Sequence, residues 1–124
     1  MSTIKRLDRL DIATTDLAGA AAIYQKNFGF AVSRGADPAV ASVKIGDAEI
    51  RLASGDSVAG QIAAAGEGMY ALWLEADDLD AVAAAMLRAG LPPGAIRVES
   101  GRRVLAVDPK LASQVPLFIF DRKL

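Results

Sequence analysis

The chain has 124 residues, 52% of them apolar and 23% charged, with 14 Lys and Arg against 15 Asp and Glu, and neither Cys nor His. That length suits one domain able to bury its own core, and a net charge of −1 is the wrong balance for gripping nucleic-acid phosphates. Without Cys there is no disulfide, thiol nucleophile or thiolate metal site; without His, Ser-His-Asp and Cys-His catalysis and imidazole-bound zinc or iron are excluded too.

The first residues are charged and lack the apolar segment of a secretory leader. The most apolar stretch, 69–91, is interrupted by Glu75, Asp77, Asp78, Asp80 and Arg88, so no membrane span is expected and a cytoplasmic protein is the default.

Residues 6–14 alternate, with Leu10, Ile12 and Thr14 on one face and Arg9, Asp11 and Ala13 on the other. Period two predicts a strand with one buried face. Asp16 has the character of an N-cap, Leu17, Ala20, Ala21, Tyr24 and Phe28 follow at helical spacing, and Gly29 suits the left-handed turn that ends a helix. Tyr24, Phe28 and Phe30 are expected in the core. Strands are predicted over 30–34, 40–45 and 48–53, the last two joined by a Gly46-Asp47 hairpin turn. The Gly-, Ser- and Ala-rich run 54–68 reads as a connecting loop. A strand over 69–76 follows, then Asp78 as a cap and a helix carried by Leu79, Val82, Ala83 and Met86, ended by Gly90. Strands over 95–99 and 102–107 form a hairpin about Ser100-Gly101, and the last strand covers 115–121.

The order of elements repeats. Ile12 to Leu17 lies over Leu74 to Leu79 at a shift of 62 residues, and a helix with its Gly terminator follows each. The expectation is an α+β single domain of two β-α-β-β-β modules, about 1–55 and about 68–124, with a connector at about 56–67. One helix covers one face of each small sheet, so the two sheets are expected to form a cupped, mostly antiparallel pair around a shared concavity.

The run from Leu7 to Leu17, followed by Ala22 to Phe30 with its closing Phe-Gly-Phe, resembles the opening module of the vicinal oxygen chelate superfamily. That superfamily holds glyoxalase I, extradiol dioxygenases, methylmalonyl-CoA epimerase and the bleomycin-resistance proteins. Residues 101–109 and 115–120 are similar to its last hairpin and strand. The resemblance implies the fold, and in metal-dependent members it implies ligands on the first and last strands of each module. Here those positions fall at Arg9, Ala71, Arg51 and Phe118. A guanidinium has no lone pair to give, and Ala and Phe cannot coordinate. The scaffold is expected without its usual metal, and without a cofactor.

Alternation puts Arg9, Asp11, Glu49, Arg51, Trp73, Glu75, Phe118 and Phe120 on the concave face. One reading is a ligand pocket with aromatic walls and Arg forks that fix a carboxylate or phosphate. A second is an internal ion-pair cluster of Arg9, Arg51, Glu49 and Asp11 in place of the metal; a third puts these charges in a dimer interface. Tyr70 is read as facing the helix side, Asp77, Asp78 and Asp80 as helix-capping charge rather than a calcium site, and Arg97, Arg102 and Arg103 as a solvated edge.

The function expected is metal-free binding of a small, partly apolar, anionic ligand by a homodimer, with no nucleic-acid or membrane partner. Two alternatives stand beside it: a lyase, isomerase or hydrolase using Glu49, Glu75 or Asp11 as base, and a dimerising module that binds nothing.

Overall fold

The computed structural model describes residues 4–112 and 116–123. Its elements are β1 (Ile4–Ala13), α1 (Leu17–Phe28), β2 (Val32–Arg34), β3 (Val40–Ile45), β4 (Ala48–Ala53), α2 (Asp56–Ala65), β5 (Gly68–Ala76), α3 (Leu79–Arg88), β6 (Ile96–Glu99), β7 (Arg102–Val107) and β8 (Leu117–Asp121). The α+β class and the repeated β-α-β-β-β order are therefore those expected. Position 115, where the last strand was expected to start, lies outside the described residues.

The helix ends follow local chemistry. The Asp16 carboxylate accepts the Gly19 N–H at 3.0 Å and opens α1, and Gly29 ends it at φ +69°. Asp78 accepts the Asp80 N–H at 3.0 Å and opens α3. The Ser100-Gly101 turn places both residues at positive φ, 52° and 75°, as a tight hairpin needs.

The expected loop at 54–68 is the main departure, because α2 occupies most of it. Val58 and Ile62, four residues apart, pack with Val40 and Tyr70 against the small side chains of Ala13 and Ala53. The Ala-rich remainder has high helix propensity, and burial of Val58 outweighs the cost of about 1 kcal/mol that Gly60 carries in a helix.

The chain divides into two compact units, residues 9–70 and residues 71–124 together with the first strand up to Asp8. In the first, the strand order is β2-β3-β4-β1. β1 runs parallel to β4, pairing Leu10 with Ile50 and Ile12 with Leu52, while β3 is antiparallel to both β4 and β2. Leu17 and Ala21 of α1 cover Ala41, Val43 and Leu52. In the other unit the order is β5-β8-β7-β6. β5 runs parallel to β8, pairing Leu74 with Ile119, and β7 is antiparallel to both β8 and β6. Leu79 and Val82 of α3 cover Leu105, Val107 and Ile119, and Ile4 packs onto the same cluster. Topology and helix placement thus repeat strand for strand. Leu52 and Leu105, both fully buried, each contribute about 2–3 kcal/mol by leaving water.

Candidate functional site

In the unit that carries α3, strand alternation sends Leu74, Leu117 and Ile119 to the helix and turns Trp73, Phe118 and Phe120 to the other face. Trp73 stacks on Phe118 with centroids 4.6 Å apart and planes 16° from parallel, and it meets Phe120 edge-on at 6.3 Å. The Arg102 guanidinium lies 5.2 Å from the Trp73 ring and 4.6 Å from the Phe120 ring. Arg122 stands 5.5 Å from Phe120 and Arg97 6.0 Å from Phe118. Each such contact contributes about 0.5–2 kcal/mol, more where water is excluded. Among the described residues, Arg97, Arg103 and Arg122 each have a carboxylate in ion-pair contact, and Arg102 has none. Aromatic faces hold its charge instead.

Glu75, buried on this unit, is bound by Arg6 at 2.9 Å and by Arg122 at 3.3 Å. A carboxylate removed from water is tolerated when cations and donors surround it, and here two guanidinium groups do so.

The remaining expected site residues belong to the unit that carries α1. Arg9 and Asp11 form an ion pair at 2.8 Å, with side chains 14% and 8% exposed. In the β1–β4 register Arg9 lies beside Glu49 and Asp11 beside Arg51. Glu49 accepts the Ser42 hydroxyl at 2.5 Å. The Arg9–Asp11 pair is one contact of the ion-pair alternative that the sequence leaves open beside a ligand pocket and a dimer interface. Tyr70 packs with Val58 and Ile62 of α2 on the Ala13–Ala53 cluster. Burial, and then the negative charge of Asp11, holds its phenol above the usual pKa against the opposing pull of Arg51 and Arg9.

Three features were not anticipated. Arg102, a solvated edge by its sequence setting, stands over the aromatic cluster. The signal was present, since Val104 pairs with Phe120 and Ala106 with Phe118, and period two puts Arg102 on that same face. Arg103 is likewise no free edge: it reaches Asp121 at 2.5 Å, Asp80 at 3.2 Å and Asp78 at 3.4 Å. Finally, Phe28 is 60% exposed rather than in the core. With Ile23 and Tyr24 it borders a crevice of about 490 Å³ beside α1, which also takes in Thr14 and Glu67.

The family that the fold implies often carries a divalent metal, so the donor set can be tested against one. Among the described residues no group of three or more His, Cys, Asp or Glu could hold a metal ion. Arg9, Ala71, Arg51 and Phe118 offer no donor at the positions implied by the resemblance, and Asp11 is taken by Arg9. The residues present do not fit the group.

A duplicated β-α-β-β-β module with one helix on each small sheet defines a class of small α+β proteins. Residues 6–109 match the model of the Glyoxalase/Bleomycin resistance protein/Dioxygenase superfamily, and the chain belongs to that superfamily. No curated protein matches it at a significant level. Among solved structures it is similar to methylmalonyl-CoA epimerase from Mycobacterium tuberculosis, at 23% identity over 99% of this chain and 91% of that one, with a TM-score of 0.72. The Streptomyces coelicolor methylmalonyl-CoA epimerase in complex with 2-nitronate-propionyl-CoA is 23% identical over 95% and 94%, with a TM-score of 0.69. A hypothetical protein from Bacillus halodurans is 18% identical over 96% and 95%, with a TM-score of 0.72. At these identities the likeness shows the fold. Among the described residues, no helix is long and apolar enough to cross a membrane.

Proposed function

We propose that the protein binds a small, partly apolar, anionic ligand without a metal, at Arg102 and the partly exposed Phe118, which stand over the buried rings of Trp73 and Phe120. The carrying observation is the Arg102 guanidinium, which stands 5.2 Å from the Trp73 ring and 4.6 Å from the Phe120 ring and has no carboxylate partner among the described residues. A planar cation held by aromatic faces has its donors oriented before a ligand arrives, so little side-chain freedom is lost when a carboxylate or phosphate docks. The ring of Phe118, partly exposed, supplies area for the apolar body.

Two of the structural neighbours are epimerases named for a CoA ester, and one is solved with a CoA thioester bound. Acyl-CoA thioesters are therefore the first probes, followed by aromatic carboxylates. Trp73 is the only Trp, so its emission reads this face alone. Saturable quenching by an anionic probe is expected, and Arg102→Ala should weaken it roughly tenfold, the scale of one lost charge-assisted contact. Binding should persist in EDTA, with metal content of the purified chain far below one per molecule. Equal binding of a neutral amide analogue, a silent Trp73, or one tightly held divalent ion per chain would overturn the reading.

Catalysis by Asp11, Glu49 or Glu75 has less support. Each is already engaged, by Arg9, by Ser42, and by Arg6 with Arg122. The homodimer belongs to the same proposal. Its support is edge strand β6, where Ile96 and Val98 are 37% and 66% exposed, and light scattering after size exclusion decides it.

A further inference from the structure

The crevice beside α1 lies wholly within residues 9–70 and uses none of the groups invoked above for the anion. Its floor is apolar: Ile12 and Leu52 from the sheet and Ala20 from the helix. Ile23, Tyr24 and Phe28 form its helical wall, and Ile23 and Phe28 remain 52% and 60% exposed there. Large apolar side chains left open along a crevice of about 490 Å³ are a surface that a partner of similar polarity would cover, and the volume falls within the range of small-molecule sites.

One charged residue lines it, Glu67, and no basic residue does. The Glu67 carboxylate accepts the Thr15 N–H at 2.6 Å, the Thr15 hydroxyl at 2.8 Å and the Thr14 hydroxyl at 3.2 Å. These donors hold its pKa below the usual carboxylate value, the Thr15 backbone N–H first and its hydroxyl second. All three bonds use Oε1, so Oε2 keeps its accepting capacity. The result is a fixed anion in an otherwise largely apolar lining.

From this juxtaposition we infer a second ligand site: the α1 crevice binds a small amphipathic cation, an amine on an aromatic or branched alkyl body. The ammonium pairs with Glu67 Oε2, and the apolar body lies between Ile23, Phe28 and the Ile12–Leu52 floor. Charge decides the ligand class. An anion would face Glu67 without a compensating cation, and a neutral molecule would forgo the charge-assisted bond.

Titration of the ¹⁵N-labelled chain with 2-phenylethylamine tests it, with 2-phenylethanol and 3-phenylpropionate as neutral and anionic counterparts. Amide shifts are expected at Thr14, Thr15, Ala20 and Gly68, with the alcohol weaker by roughly tenfold and the carboxylate weaker still. Glu67→Gln keeps an oxygen for Thr15 and removes the charge, so amine affinity should fall to that of the alcohol. Ala20→Leu fills the floor, leaves Glu67 in place and should abolish binding of both. Shifts that map elsewhere, equal affinity for amine and alcohol, or Glu67→Gln binding the amine as the native chain does would each overturn the inference. If Ala20→Leu fails to fold, Glu67→Gln alone decides.

Discussion

Asp121 shows how one side chain can tie strand to helix. Its side chain is 1% exposed, yet it accepts Nε of Arg103 at 2.9 Å, Nη2 of Arg103 at 2.5 Å and the Leu79 N–H at 2.8 Å. These bonds, those from Arg103 foremost, hold its carboxyl at about 2 against a usual 3.8, overcoming the opposing effect of burial. A depressed folded pKa stabilises the folded state above the unfolded value, and that stability is lost as pH falls from about 4 to about 2. Asp121→Asn should therefore destabilise the chain by about 2 kcal/mol at neutral pH, because Arg103 loses its best partner and keeps only the more exposed Asp78 and Asp80. Urea melts at stepwise lower pH should show native and variant curves converging; a constant gap would refute the linkage. The sequence marked Arg103 as basic and Asp78 and Asp80 as capping charge. It did not join them to Asp121, since that pairing depends on where β8 ends relative to α3.

The helices differ in how their glycines are used. Gly60 sits inside α2 with nothing within 4 Å of where a Cβ would stand, so Gly60→Ala should stabilise by about 0.5–1 kcal/mol through reduced freedom of the unfolded chain. Gly19 sits in the first turn of α1, where a Cβ would collide with Oδ2 of Asp16. Gly19→Ala must push the capping carboxylate aside, and the loss of about 1 kcal/mol should cancel the propensity gain. Thermal melts of the two variants side by side should show one rise and no rise in the other. Most elements were legible because strands repeat every two residues and helices close with a cap and a glycine. α2 was not: Gly, Ser and Ala spell a loop locally, and only the contacts of Val58 and Ile62 with Ala13 and Ala53 make it a helix. Phe28 misled in the opposite sense. It holds the helical spacing of a core residue, but it is the last residue of α1, and its ring stacks on Phe30 and stays 60% exposed.

Over the whole chain, the two units have separate cores around Leu52 and Leu105, with no residue shared between those clusters. Leu52→Ala and Leu105→Ala should each cost about 3 kcal/mol, and the double variant should lose their sum within roughly 0.5 kcal/mol. A strongly non-additive double variant in urea titration would contradict that separation. The duplication itself was legible from the shift between Ile12–Leu17 and Leu74–Leu79, and the parallel pairings β1–β4 and β5–β8 match it. The candidate site was legible only as a set of positions. Alternation named Trp73, Phe118 and Phe120, whereas the cations over them come from β6, β7 and the residues after β8, and sequence spacing does not fix those distances. The repeat also keeps no fixed step: Asp11 answers to Trp73 at 62 residues, but Arg51 answers to Phe118 at 67. The two repeats thus differ in length and in the residues at matched positions, Asp11 and Arg51 in one against Trp73 and Phe118 in the other. A symmetric pair of separate chains would have to change both linings with every mutation. Within one chain each repeat carries its own residues at the matched positions, so a substitution in one leaves the other as it was.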